Sequence, residues 1–393
     1  MNPSFIDLGL AQTTLHPLGL EVLRAQGSYL YHPGGKRTLD FISGIGVSSF
    51  GHSHPEIIAA IHDQVDRHLH VMVYGEFRQS AQQQAAEHLL ALLPSHLDSV
   101  YFVNSGAEAI DAAMKLTRRS TQRQKICSFH GGYHGNTFGA LSVSANADRK
   151  KPFAPLVGDV EQLPWNDFEG LERIDERTAG VVLETIQGDA GIRIPDETWM
   201  LALRRRCSEV GAKLVLDEIQ CGMGRTGKPF AFEHFGLVPD YLCLGKALGG
   251  GMPMGALVAP SHEMLLFADN PSLGHITTFG GHPVPCAASA VATKLLAHTN
   301  WEHIEKIGKT IEDRMWATGK VRKIRRKGLY IAVELADADQ VQRVVNGALE
   351  LGVLIFYFLS TPQAFRIAPA LTITEEELNF ALDVLANVLD DEV

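Results

Sequence analysis

Apolar and polar positions first fall into a strand-like pair near the N-terminus. Gly27–Tyr31 alternates small and aromatic residues, His32 to Lys36 holds a Pro-Gly-Gly turn, and Thr38–Ile42 is apolar again, which predicts a hairpin. Pro55–Leu69 and Gln79–Leu93 repeat apolar residues at helical spacing, the second closed by Pro94. Beyond them, short apolar runs alternate with amphipathic stretches. The runs are Val100–Val103, Lys125–Phe129, Gly180–Glu184, Lys213–Leu216 and Tyr241–Leu244, with Glu108–Arg118 and Met200–Val210 helical between them. This alternation predicts an α/β fold with a largely parallel sheet covered on both faces, which binds ligands at the carboxyl ends of its strands. In the last third, Pro283–Ala297 and Thr374–Leu389 read as helices, and Gly328–Leu335 and Phe365–Ile367 as strands. The expected organisation is a large α/β domain over 51–281. Residues 1–50 and 282–393 join as a smaller one.

Composition changes this picture only at the margins. The 393 residues are 45% hydrophobic and 20% charged, ordinary for a globular chain, and their length suits two domains. No apolar run approaches the roughly 20 residues of a membrane-spanning helix. The first ten residues carry Asp7 and no basic cluster ahead of an apolar stretch, so they do not read as a secretory signal. A net charge of −10 disfavours nucleic acid, and the basic stretch Arg322–Arg326 reads as a solvated face. Five cysteines without a CxxC pair argue against a disulfide framework or zinc ribbon and for a reducing cytoplasm. The histidines His52, His54, His62, His68 and His70 lack the HxxxH-plus-acid pattern of a metal helix, so no metal is expected.

Four segments that follow predicted strands carry candidate chemistry. Asn104-Ser105-Gly106-Ala107-Glu108 opens a helix, where free N–H groups and the helix dipole suit a phosphate; a simple N-cap is the plainer alternative. His130-Gly131-Gly132-Tyr133-His134-Gly135-Asn136 combines glycines with a flat ring, though alone it is only a turn. Asp217 ends an apolar run, where an acid either meets a cation or caps a turn. Lys246 ends another, ahead of Gly249, Gly250 and Gly251. A lysine in such a setting is paired or covalently used, and a desolvated amine becomes a nucleophile for carbonyls. Gly222-Met223-Gly224-Arg225-Thr226-Gly227 matches GxGxxG, but Lys228-Pro229-Phe230 breaks any helix there and no acid stands at the dinucleotide offset. Together the four segments fit one ligand with a phosphate, a ring face, a protonated pyridine nitrogen and an aldehyde.

On these residues the chain resembles the class III pyridoxal-phosphate-dependent aminotransferases, the family of ornithine, acetylornithine and 4-aminobutyrate aminotransferases. The resemblance runs from Gly27–Asp40 and Gly51-His52-Ser53-His54-Pro55 to Arg366–Pro369 and Thr372–Glu376. Its most specific parts are Leu216–Gly227 through Pro239-Asp240 to Lys246, Asn104–Glu108, and Thr277-Thr278-Phe279-Gly280-Gly281. It implies a transferase of fold type I, with 51–281 as the large pyridoxal-phosphate-binding domain. It also implies a homodimer with shared active sites, an amino donor, and a 2-oxo acid acceptor.

The resemblance implies roles residue by residue. Lys246 would be the Schiff-base lysine and proton shuttle, and Asp217 would pair with the pyridine nitrogen. Gln220 would contact the ring oxygen, with Glu184 near it. Ser105, Gly106 and Ala107 would hold the phosphate, reached also by Thr278 from the partner subunit. Tyr133 and Ile219 would cover the two ring faces, and His134 belongs to the same cofactor-binding set. Arg366 would grip a substrate carboxylate, while Tyr74 and Asn136 would face substrate.

Some positions depart from the family pattern. Asn136 stands where many ornithine- and acetylornithine-type members have an arginine for a second carboxylate. Asp189 is shorter than the glutamate that shields the carboxylate-binding arginine in some members, and His282 stands where asparagine is common. Glu76 reads as a surface acid rather than as a reader of a cationic amine. Family membership favours an ω-amino donor. Decarboxylation, a 2,1-amino shift or elimination on the same cofactor, and a catalytically inactive binding module, are the competing readings. The intact set Lys246, Asp217 and Arg366 argues against the last.

Overall fold

The computed structural model describes residues 9–11, 13–15, 17–73 and 75–390. The N-terminal hairpin forms as expected. Strands β1 (Arg24–Gln26), β2 (Tyr29–Tyr31) and β3 (Arg37–Asp40) pair antiparallel around a turn at Pro33–Gly35.

The alternating region folds into one seven-stranded sheet. Its strands are β4 (Ser99–Val103), β5 (Lys125–Phe129), β6 (Val160–Leu163), β7 (Thr178–Glu184), β8 (Lys213–Asp217), β9 (Tyr241–Gly245) and β10 (Gly255–Ala259), in the order β4-β10-β9-β8-β7-β5-β6. All neighbours are parallel except β10, which runs antiparallel to both β9 and β4. β6 and β10 are additions to the expected strands. β6 reads Val-Glu-Gln-Leu, half polar, and β10 reads Gly-Ala-Leu-Val-Ala, a short run shortly after Gly249, Gly250 and Gly251. Every residue of β7 is buried, as a parallel strand covered on both faces must be.

The helix Gly106–Thr121 covers one face through Ala109, Ile110, Ala113, Leu116 and Thr117, and ends where Gln122 turns left-handed at φ 58°. The other face packs Phe129, Trp165 and Trp199 edge to face and continues into the apolar interior of the last third. The helix expected over Pro55–Leu69 stops at Arg67, so His68 and His70 lie beyond it.

The two chain ends share a sheet. After β11 (Lys323–Lys327) and β12 (Tyr330–Glu334), strand β13 (Val353–Leu354) pairs parallel with β3. β14 (Phe356–Tyr357) and β15 (Ala364–Ile367) complete a separate sheet in the order β11-β12-β15-β14. The basic stretch Arg322–Arg326 is largely strand, and its residues are exposed or partly exposed. Arg325 pairs with Glu334 at 2.6 Å, and Arg326 with Glu312 at 3.0 Å and Glu305 at 2.7 Å. Helices Trp301–Ala317 and Ala338–Glu350 add to those expected in this region.

Candidate active site

Strand register brings the chemistry together. Glu184 lies opposite Asp217, and Asp217 opposite Cys243, so β7, β8 and β9 end side by side. Lys246 follows the last residue of β9 with φ 44°, a left-handed conformation that costs a lysine energy and marks an over-determined position. Burial pulls its ammonium pKa below the usual lysine value, against the opposing pull of Asp217 and Glu184. The Asp217 carboxylate is 3% exposed. Its Oδ2 stands 2.7 Å from His134 Nδ1, and its Oδ1 accepts the Ile219 N–H at 3.0 Å. Glu184 accepts the N–H groups of Tyr133 at 3.0 Å and Gly188 at 2.8 Å. Burial pushes its pKa up to about 7, with the His134 charge opposing.

These groups face one cleft of about 240 Å³. Lys246, Asp217, Glu184, Tyr133, His134, Asn136, Ile219 and Gln220 line it, together with Gly106 and Ala107 at the helix start. The Ser105 hydroxyl caps this helix by accepting the Glu108 N–H at 3.2 Å, and the Glu108 carboxylate accepts the Asn104 N–H at 2.7 Å. The plainer reading of this segment, an N-cap, is observed. Gly106 and Ala107, whose first-turn N–H groups no helix carbonyl can satisfy, line the cleft. The close approach requires glycine, because a Cβ on Gly106 would stand 2.6 Å from the Ile219 side chain. The arrangement suits a flat ligand with an anionic group at the helix start, a basic ring atom at Asp217 and a carbonyl near Lys246.

Arg366 lies to one side, on β15, and is 8% exposed. Its guanidinium rests 4.4 Å from the Phe358 ring centre and 3.8 Å from Asp189 Oδ1, and its Nε has no hydrogen-bond partner among the described residues. It does not line the cleft itself but borders a void of about 10 Å³ shared with Gln220 and Tyr330. The Tyr330 hydroxyl donates to Gln220 Oε1 at 3.0 Å. Thr278 is exposed and does not line the cleft of its own chain. Tyr74 lies outside the described residues. Glu76 is exposed beside a separate cavity of about 630 Å³ with Thr277, Gly280 and Gly281, and the His282 ring stacks 5.3 Å from that of His70.

Comparison with known proteins decides the family. The family model for aminotransferase class-III matches residues 11–389. The chain belongs to the class-III aminotransferases. It is 39% identical to an acetylornithine aminotransferase of Methanopyrus kandleri, over 93% of this chain and 92% of the relative. It is 36% identical to a [LysW]-aminoadipate semialdehyde/glutamate semialdehyde transaminase of Sulfurisphaera tokodaii, over 87% of this chain and 90% of the relative. An ornithine aminotransferase of Toxoplasma gondii, whose structure shows partial occupancy of PLP at its active site, superimposes with a TM-score of 0.90. It shares 28% identity, over 98% of this chain and 92% of the other. The fold is the type I transferase fold of these enzymes.

Three residues of this class-III aminotransferase enter the site region without a role drawn from the linear motifs. Tyr330 arrives on β12. Arg225 sits inside the GxGxxG decoy, 1% exposed, and donates to Pro369 O at 2.5 Å, Leu329 O at 3.4 Å and Ser49 Oγ at 3.1 Å. The decoy is thus a turn held by its arginine. Arg149 sits on a single helical turn, Ala147–Lys150, with its guanidinium 5.7 Å from the Tyr133 ring centre. The sequence clue to Arg225 was its place between the glycines of Gly222–Gly227; its burial shows only in the structure.

Proposed function

We propose that this enzyme binds pyridoxal 5'-phosphate in the cleft at the strand ends and moves an amino group from an ω-amino donor to a 2-oxo acid. The observation that carries the reading is the cleft with Lys246 and Asp217 on its wall and the capped helix start at Gly106 and Ala107. The donor set fits the cofactor. A carboxyl group suits a pyridine nitrogen, N–H groups suit a phosphate, and an amine whose pKa burial lowers suits an aldehyde.

When bound, pyridoxal phosphate supplies an aldehyde for exchange with amines and a ring that accepts electron density from the donor carbon. The protein's part is binding and proton management. Ser105, Gly106 and Ala107 hold the phosphate, joined by Thr278 from a partner subunit. Asp217 keeps the ring nitrogen protonated, and His134 fixes the carboxylate that does so. Tyr133 and Ile219 cover the ring faces, while Gln220 and Glu184 address the ring oxygen. The Lys246 amine takes the proton from the donor carbon and returns it at the cofactor carbon. Arg366 holds a substrate carboxylate, while Tyr74 and Asn136 face the substrate.

The same reading divides the chain into a cofactor-holding domain over 51–281 and a smaller domain of 1–50 and 282–393. The separate sheets and the pairing of β3 with β13 support this division. It also takes the enzyme to be a homodimer, supported by the exposed apolar residues Met72, Phe77, Ile276 and Phe279 near the segment that carries Thr278. A cytoplasmic site of action is supported by five free, buried cysteines.

The test is direct. The purified enzyme with pyridoxal phosphate should show a visible absorbance that borohydride removes. Lys246→Ala should lose that sensitivity and all oxo-acid-dependent amine transfer. A wild type that neither takes up pyridoxal phosphate nor transfers an amino group overturns the reading, and release of carbon dioxide without transfer replaces it by decarboxylation.

A further inference from the structure

Arg149 is only loosely engaged. Its guanidinium makes no hydrogen bond among the described residues. It stands 4.0 Å from Asp189 Oδ2, beyond hydrogen-bond length, and over the Tyr133 ring. The backbone beneath it is fixed. Asn146 caps its turn through the Arg149 N–H at 3.1 Å, and the Lys150 ammonium ties the turn to the carbonyls of Ser142 and Ser144, each at 2.9 Å. A preorganised turn thus holds a loosely engaged arginine.

That arginine faces a cavity of about 200 Å³, lined by Tyr133, Asn136, Arg149, Asp189 and Ser360 among others. Tyr133 and Asn136 line the Lys246 cleft as well, so the two spaces meet along those side chains. Asp189 stands between two guanidiniums, 3.8 Å from Arg366 and 4.0 Å from Arg149. Its firm partner is the Ser360 hydroxyl, which donates to Oδ2 at 2.6 Å. Two positive forks and one carboxylate held elsewhere leave donor capacity for incoming carboxylates. A planar fork suits bidentate recognition of such a group. Asn136, uncharged, donates from Nδ2 to the Tyr133 hydroxyl at 3.4 Å and adds no cation here.

We propose that Arg149 is a specificity-determining residue that binds the second carboxylate of a short dicarboxylic 2-oxo acid, while Arg366 binds the first. Both guanidiniums approach one carboxylate, so they are near enough to hold the two ends of a five-carbon diacid. Asp189 stays on Ser360 as the substrate takes over the arginines. This rests on the aminotransferase reading above and names its acceptor class.

The experiment compares wild type, Arg149→Gln and Arg149→Lys as holoenzymes, with 2-oxoglutarate and pyruvate as acceptors. Calorimetric titrations with glutarate and butyrate provide a readout independent of turnover. In Arg149→Gln the ratio of kcat/KM for 2-oxoglutarate to that for pyruvate should fall about tenfold or more, the usual weight of a hydrogen bond to a charged group. Glutarate binding should weaken by a similar factor relative to butyrate, and Arg149→Lys should recover part of both. A ratio and a binding preference within about twofold of wild type would sink the proposal, as would a wild type that binds glutarate no tighter than butyrate. If no acceptor takes an amino group from the wild type, the aminotransferase reading fails. The glutarate titrations still decide Arg149.

Discussion

At the scale of single residues, the site is defined as much by missing atoms as by functional groups. Gly106 lets the helix start approach Ile219, and a Cβ there would stand 2.6, 2.8 and 2.9 Å from three Ile219 carbons. Gly245, just before Lys246, packs against the same pair, with its own Cβ position 3.1 Å from Ile219 and 3.4 Å from the Gly106 Cα. Gly106→Ala should therefore destabilise the enzyme by about 1–3 kcal/mol, the cost of overpacking, and weaken pyridoxal phosphate binding as the first-turn N–H groups shift. Ile219→Ala removes the obstructing carbons. The double variant should be more stable than the two single effects together imply, by about 1 kcal/mol or more. Thermal midpoints of the four proteins measure this coupling, and additive effects would show that the contact does not limit the cradle.

At the scale of elements, Glu218 holds two strand ends to the turn that follows them. Its carboxylate accepts the Thr185 hydroxyl at 2.9 Å, beyond β7, and the N–H groups of Ala231 at 2.6 Å and Phe232 at 2.7 Å. Burial raises its pKa from 4.5 to about 7, against the pull of those donors. The folded protein therefore keeps a proton that the unfolded chain gives up. Stability from this group is full below pH about 4.5 and falls as pH rises toward about 7. Glu184 adds a fall over the same window, its pKa likewise raised to about 7. Glu218→Gln lowers stability at every pH, because its amide opposes an N–H donor, but it removes one share of the slope. Thermal midpoints from pH 5 to pH 8 should fall less steeply in the variant; parallel curves would contradict the assignment.

Element by element, the sequence was legible where one signal sufficed. β7 is a continuous apolar run, Lys213–Asp217 ends in an acid, and Ser105 precedes an amphipathic stretch, so strands, cleft and cap all follow. β11 was hidden because its Lys-Ile-Arg-Arg-Lys carries charge on both faces, satisfied by acids 9 to 21 residues away. Arg149 was hidden because nothing within its turn marks it. Its place depends on how the turn is tied to Ser142 and Ser144, and on Asp189 arriving from another strand end.

At the scale of the whole molecule, the two ends of the chain, which together carry Arg366, are tied to each other at backbone carbonyls. Ser43 donates to Ala368 O at 2.9 Å, Ala368 N–H to Phe41 O at 2.8 Å and Leu371 N–H to Ser49 O at 2.7 Å. Arg225 closes this seam from the loop after β8, reaching Ser49, Leu329 and Pro369 at once. No carboxylate pairs with it in these contacts, so its energetic role is to satisfy buried carbonyls. Arg225→Met keeps the bulk and loses the donors. Each buried carbonyl left without its partner should cost about 1–3 kcal/mol. The consequence for function is directional. Pro369 lies three residues past Arg366, whereas Lys246 and Asp217 belong to the seven-stranded sheet. The variant should therefore raise KM for carboxylate-bearing substrates severalfold while the affinity for pyridoxal phosphate changes less. Steady-state kinetics beside a cofactor titration read the two separately. Equal weakening of both would mean that Arg225 supports the site as a whole rather than the approach of Arg366 to it.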